Sequence, residues 1–424
     1  MQPGTPEVVG ILAGGGALPA EIAAAAAAAG RRVVVVGLAG EADPAQFTAH
    51  DFTLLRWGEI GALIRTFKKR GVRDLVIVGS VSRPDMSRLK TDLGFYLNLP
   101  RILRIMAAGG DDHVLRRVVR FFEGNGFQVL GPAEIAPGLA IAEGPLGKHT
   151  PAANDLTDIA AGFDLVARLA AFDIGQAVAI ANGKVLAIEG AEGTDAMLER
   201  IGERQGPEGG VLIKRPKPGQ ELRVDMPAIG PRTVARARAA GLRGIAVEAG
   251  VTLAAERAAL IAAANDAGLF VTGIPPGRTA SAPRLTLARN DPAADGLIGA
   301  GVLRALAPTV PSRGAVVMRR HVLAVEAGEG ITALIARAGR LRQWGRSRLS
   351  VLLGSGRRGV LTVSGVGDLA PGDINAGAAL GLTSIQILDP EAARHARWKA
   401  VHDEALRTGM ILTVAPAASE RTAP

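Results

Sequence analysis

The sequence predicts an α/β protein: a Rossmann-like N-terminal domain, then a second α/β domain that is duplicated. Three observations predict it. Short β-branched runs alternate with helical stretches. Those runs are apolar without interruption, as parallel strands covered on both faces must be. The final third of the chain also repeats the middle third at a nearly fixed offset. The 424 residues exceed one compact core, and about 150 residues per domain gives roughly three domains. Their expected spans are 1–135, 140–278 and 284–415.

In the first domain, Val8–Ala13 reads as a strand running into Gly14-Gly15-Gly16. Leu18–Ala29 follows as an Ala-rich helix with Glu21 early and Gly30 as its stop. Arg32–Gly37 and Leu75–Val78 are strands, and Ile60–Lys69 between them has helical apolar spacing at Ile60, Leu63, Ile64 and Phe67. Asp111-Asp112 opens a helix through Phe122, with acids at its positive end, and Phe127–Leu130 closes the domain as a strand. The second domain follows a Pro/Gly connector. Its expected helices are Asp155–Ala171, one after Thr194, Thr233–Ala240 and Glu256–Asp266. Its expected strands are Ala177–Ala181, Val185–Ile188, Val211–Lys214, Ile245–Glu248 and Leu269–Val271. Ile274–Pro283 reads as a linker.

Composition removes whole classes of function. Apolar residues at 48% and charged residues at 21% exclude wholesale disorder. The absence of cysteine excludes disulfides, thiolate metal sites and cysteine nucleophiles. None of the six histidines falls in a zinc-ligand spacing. Aromatics at 3% argue against a base-stacking platform, so no nucleic-acid partner is expected. No signal peptide or membrane-spanning run is apparent, so a cytoplasmic chain is expected. The net charge of +9 is concentrated late, residues 281–424 holding 18 Lys+Arg against 11 Asp+Glu. Seven arginines and no acid lie within Arg337–Arg358. They read as a solvated face, or as a contact with anionic lipid headgroups.

The repeat is explicit. Sliding the chain by 137 residues lays VLAIEGAEGTDAMLER (185–200) over VLAVEAGEGITALIAR (322–337), with eight of 16 positions identical. A slide of 140 sets Val211–Val247 against Val351–Ile387 without a gap. Apolar positions persist between the copies and a polar set does not: Thr194 faces Ile331, Asp195 faces Thr332, Lys214 faces Gly354 and Asp225 faces Gly365. The middle domain therefore reads as the working one and the last as its inactive partner; the alternative is ordinary surface drift. Glu189/Glu326 and Glu192/Glu329 persist and read as structural.

Four stretches could carry chemistry. Gly14, Gly15, Gly16 and Ala17 sit between a strand and a helix start, where backbone N–H groups can approach a phosphate. Pro19 stands where a dinucleotide fingerprint needs its third glycine, and no acid ends the second strand, so a nicotinamide dehydrogenase is a lesser alternative. Ser82 and Arg83 in GSVSRPD (79–85) follow the strand VIV; they read equally as anion ligands and as a plain turn. Asp111-Asp112 suits a helix cap better than a metal. The densest signal is VLIKRPKPGQELRVDMPAIG (211–230), in which Lys214, Arg215 and Lys217 form a proline-punctuated basic loop and Asp225 follows in an extended segment. Cations that neutralise phosphoryl charge and a carboxylate that holds Mg²⁺ or orients water are what pyrophosphate cleavage uses.

Together these stretches, with LGKHTP (146–151), DIGQ (173–176) and GLFVTG (268–273), resemble the LpxI-type UDP-2,3-diacylglucosamine pyrophosphatases over about 8–278. The resemblance implies Mg²⁺-dependent hydrolysis of UDP-2,3-diacylglucosamine to UMP and 2,3-diacylglucosamine 1-phosphate in lipid A synthesis. It also implies substrate held between the two domains, with Asp225, in the RVDxP motif, as the key catalytic and metal-binding residue. Gln176, Thr194, Lys214 and Lys217 join the glycine turn, Ser82 and Arg83 as expected substrate contacts. A homodimer and a peripheral contact with the inner membrane face are compatible with this reading. A nucleotide-sugar or lipid-binding regulator without catalysis is the alternative of a different class. The family is two-domain, and residues beyond 280 depart from it.

Overall fold

The computed structural model describes residues 7–81, 91–92, 94–96, 99, 111–204, 209–277, 293–307, 313–342 and 359–415, with the backbone alone at 111–113 and 342. The chain forms two compact units, one of 1–148, 219–234 and 247–276 and one of 149–218, 235–246 and 277–424.

The first unit begins with the predicted alternation. In order come β1 (Val8–Ala13), α1 (Leu18–Ala28), β2 (Arg32–Leu38), β3 (Asp51–Leu55), α2 (Ile60–Lys69), β4 (Asp74–Val78), α3 (Asp111–Glu123), β5 (Gln128–Leu130) and α4 (Pro132–Ile135). The strands form one wholly parallel sheet in the order β3-β2-β1-β4-β5. Alternate side chains divide between its faces. Val9, Ile11, Val33 and Val35 pack with Ile22, Ala23 and Ala26 of α1 on one side. Leu12, Val34 and Val36 meet Leu63, Phe67, Phe122 and Phe127 on the other. Strand β3 has no counterpart among the predicted elements. Its residues are only partly buried, as suits a sheet edge, so it lacks the continuous apolar run that marked its neighbours.

The chain continues through β6 (Gly144–Pro145), α5 (Ala153–Leu169), β7 (Ala177–Ala181), β8 (Lys184–Ile188), α6 (Gly193–Glu203), β9 (Val211–Lys214), β10 (Ala228–Ile229), α7 (Pro231–Ala239), β11 (Gly244–Glu248), β12 (Leu253–Ala254), α8 (Arg257–Ala267) and β13 (Phe270–Ile274). One sheet runs β6-β13-β11-β9-β7-β8, and β10 pairs separately with β12. Ile274 therefore belongs to a strand, not to the expected linker. The last segment holds α9 (Ala294–Leu306), β14 (Gly314–Met318), β15 (His321–Val325), α10 (Ile331–Arg342), β16 (Val360–Val363), α11 (Pro371–Leu380), β17 (Ser384–Ile387), α12 (Trp398–Thr408) and β18 (Ile411–Val414).

Its sheet, β15-β14-β16-β17-β18, has the order of β8-β7-β9-β11-β13. Details agree as well. The β7–β8 register shifts between Ala179 and Ile180, and the β14–β15 register shifts 137 residues later, between Val316 and Val317. Asp158 accepts the Asn182 and Gly183 N–H groups at the β7–β8 turn; Asp295 accepts those of Arg319 and Arg320. Glu189 accepts the Gln176 N–H at 2.6 Å and Glu326 accepts that of Arg313 at 3.0 Å, the structural use expected of this pair. The gap-free slide of 140 does not hold at its start. The strand beside β14 is Val360–Val363, and it sets Val363 opposite Gly314 as Lys214 is opposite Ala177. The position matching Lys214 is thus Val363, not Gly354. From there to the helix-opening proline (Pro371, against Pro231), the last segment is nine residues shorter.

Candidate active site

The glycine turn lies at the carboxyl end of β1, beside β4, where the strand order reverses and open α/β sheets take their ligands. Part of its glycine content answers to packing. The Gly14 N–H donates to Val78 O at 2.8 Å and the Gly15 N–H to Ser80 O at 2.7 Å, while Ser80 N–H returns to Gly15 O at 3.0 Å. A Cβ on Gly14 would stand 2.5 Å from Ser80 O, and one on Gly79 2.8 Å from the Gly14 carbonyl carbon. The two loops touch backbone to backbone. This corrects the expectation for two donors, because the Gly14 and Gly15 amides are already spent on carbonyls. Gly16, at φ +92° with open space where a Cβ would point, and Ala17 at the head of α1 are the members of the turn placed for a ligand. One turn on, Glu21 accepts the Glu256 N–H at 2.8 Å, and burial raises its pKa. Ser82 and Arg83 lie outside the described residues, as do the side chains of Asp111 and Asp112.

The same unit holds Asp225. Its segment is pinned at both ends. Pro227 is buried ahead of β10, which adds Ala228 and Ile229 beside β12, and Arg116 of α3 donates to Gly219 O. Between them Arg223 grips Glu221 through two parallel bonds of 2.8 Å and reaches Glu123 at 2.8 Å. The Arg223 hydrogen bonds hold Glu221 below the usual carboxylate range, and Glu221 in turn strengthens the Arg223 cation. Gln220, itself buried, donates to Asp225 Oδ2 at 2.6 Å and to Asp225 O at 2.8 Å, fixing the carboxylate from its own turn. Gln220 and the Glu221–Arg223–Glu123 chain were not singled out in the sequence. Their signal was the QELR run just before Asp225, whose partner Glu123 lies 100 residues away.

In the second unit the expected basic loop is otherwise built. Lys214 is the last residue of β9 and only 8% exposed; its Nζ donates to Thr194 Oγ1 at 3.2 Å, which donates to Glu189 Oε1 at 2.8 Å. Arg215 is buried, its guanidinium over the Phe163 ring and bonded to Phe163 O. Lys217 pairs with Asp173, a residue held at φ +56°. Gln176 receives the Arg215 N–H on its carbonyl and gives its own N–H to Glu189. The structure thus joins Gln176, Thr194 and Lys214 into one network around Glu189. Arg337, read with the solvated basic run, is also buried, at 4% exposure, and ion-paired to Glu192 and Glu329.

Among the described residues no group of three or more His, Asp or Glu could cage a metal ion, and no helix is long and apolar enough to cross a membrane. Over 277 residues the chain is 42% identical to the UDP-2,3-diacylglucosamine pyrophosphatase LpxI of Caulobacter vibrioides, covering 98% of that protein and 63% of this one. The chain belongs to the LpxI family. The LpxI N-terminal domain profile matches residues 8–139 and the LpxI C-terminal domain profile matches 142–272. The glycine turn falls within the first LpxI domain and Asp225 within the second.

Proposed function

We propose that this LpxI-family chain hydrolyses the phosphoanhydride of UDP-2,3-diacylglucosamine, giving UMP and 2,3-diacylglucosamine 1-phosphate, a step of lipid A synthesis. The observation that carries the reading is the presented carboxylate of Asp225, held by Gln220 inside an LpxI-matched domain. Mg²⁺ is compatible with this donor set, because it commonly takes one or two carboxylates and completes its shell with water and substrate phosphates. Asp225 would hold it, and the bound ion would supply charge neutralisation at the pyrophosphate. The chain's own part is to fix that carboxylate and to offer the Gly16–Ala17 end of α1 to the phosphates. Lys217 serves a phosphate only by leaving Asp173, and Lys214 only through the Thr194 network. Contact with the inner membrane face follows from the diacylated substrate, without help from the buried Arg337.

Incubating the purified chain with UDP-2,3-diacylglucosamine and Mg²⁺ should release UMP. Asp225→Ala should abolish release while leaving the thermal transition near that of the wild type. A folded, fully active Asp225→Ala protein would overturn the assignment. Absence of UMP from the wild type would favour a binding protein.

We also infer that residues 293–415 descend from a duplication of the LpxI C-terminal domain. The common strand order, the register shift at the same offset and the Asp158/Asp295 and Glu189/Glu326 pairs support it. Loss of the counterparts of Asp225 and Lys214 makes that copy inactive.

A further inference from the structure

Inside the second unit, residues 153–214 and 294–342 meet through contacts that come in reciprocal pairs. Helices α5 and α9, which hold the same place in their sheets, pack against each other. Arg168 Nη1 donates to Ala305 O at 2.6 Å, and these two positions are themselves 137 residues apart. Arg200 donates to Ile188 O at 3.1 Å and to Glu192 at 3.0 Å. At the same offset, Arg337 donates to Val325 O at 2.7 Å and to Glu329. The pairs then cross. Arg337 reaches Glu192 at 3.3 Å and Arg200 reaches Glu329 at 4.0 Å. Arg204 extends the junction to Ala327 O at 3.2 Å and Glu329 at 2.8 Å. Gly190 permits the approach, since a Cβ there would stand 3.0 Å from Leu323 O.

Such reciprocity is the mark of a two-fold interface, in which residue i of one copy meets j of the other and j meets i. Two unrelated surfaces have no reason to obey it. We propose that the face built by α5, the turn after β8, and α6 is a self-association surface fitted to a second copy of the same domain. Residues 294–342 fill it in place of another molecule. The proposal rests on the duplication reading and not on the catalytic one, so absence of UMP release would leave it standing. The charges explain why the face stays covered. Glu329 and Glu192 have side chains 4% and 8% exposed, and a buried ion pair stripped of one partner is strongly unfavourable.

Sedimentation and amide exchange of the full-length chain test the idea. The wild type should sediment at 43.5 kDa over a wide concentration range. Glu329→Arg sets a fourth cation beside Arg200, Arg204 and Arg337. Amide exchange in β8 and β15 should then rise at least tenfold. The freed faces, with Arg200 and Glu192 intact, should pair between chains into a concentration-dependent dimer, and adding Arg200→Glu should return it to monomer. A wild-type dimer that Arg200→Glu dissociates would overturn the proposal, as would a Glu329→Arg protein that exchanges faster yet never dimerises, or one unchanged in both readouts. Should Glu329→Arg fail to fold, Glu329→Gln and its mirror Glu192→Gln give a second test. Each should speed exchange in both β8 and β15, and an effect confined to one strand refutes the two-fold reading.

Discussion

Replacing Gly14 by Ala separates what the glycine turn does for the fold from what it does for a ligand. The new methyl would lie 2.5 Å from Ser80 O and 2.9 Å from the Gly79 carbonyl carbon, where 3.4 Å is ordinary contact. Both neighbours are backbone, so the loops must part by about 0.9 Å. Overpacking of this kind costs about 1–3 kcal/mol. The Gly14–Val78 bond and the Gly15–Ser80 exchange sit at the point of parting, and each hydrogen bond lost adds about 1 kcal/mol. The sum, about 2–6 kcal/mol, corresponds to a fall of roughly 4–24 °C in the thermal transition of the first unit. Gly16→Ala is the control. It meets no atom within 4 Å and bears only the left-handed backbone cost, about 1–2 kcal/mol, but it puts a methyl on the open side of the turn. Scanning calorimetry should show the larger loss in Gly14→Ala, and KM for UDP-2,3-diacylglucosamine should rise more in Gly16→Ala. A Gly14→Ala protein that melts with the wild type would refute the backbone-contact argument.

Three further outcomes are expected. Gln220→Ala removes the bond that fixes Asp225 Oδ2, so kcat should fall roughly tenfold or more with KM little changed, measured by UMP release. Arg320 sits at φ +68° where the corresponding turn has Gly183 at φ +75°; Arg320→Gly should therefore raise stability by about 0.5–1 kcal/mol in denaturant unfolding. Burial would raise the Glu329 pKa, but Arg337, the Ala327 N–H and Arg200 together hold it below its ordinary 4.5. The stability this carboxylate contributes is complete above about pH 4.5 and is lost as pH falls through the lower folded value. Melting followed between pH 6 and 3 should show that decline, and Glu329→Gln should flatten it.

The parallel sheet was legible because VVGILA and VVVV leave no polar position for solvent, whereas β3, half exposed at an edge, left no such signature. Asp225 could be reached through the RVDMP motif. Its positioning could not, since a side chain's partner is invisible until the chain folds: Gln220 is five residues away but Glu123 is 100 from Arg223. Lys214 and Arg215 read as cations open to a phosphate because charge is read locally. The strand end and the Phe163 ring that bury them come from tertiary packing. The glycines misled in the opposite sense: a ligand-facing purpose was plain, while the need for Gly14 to pass Gly79 required both loops in place.

The nine-residue shortfall after β16 bears on what the last segment can present. Between the matched strand end and the helix-opening proline the last segment has no residues to set against 215–223, so it carries no counterpart of Lys217, Gln220 and Arg223. What Arg337 and Glu329 supply there is packing, through their ion pairs with Glu192, Arg200 and Arg204.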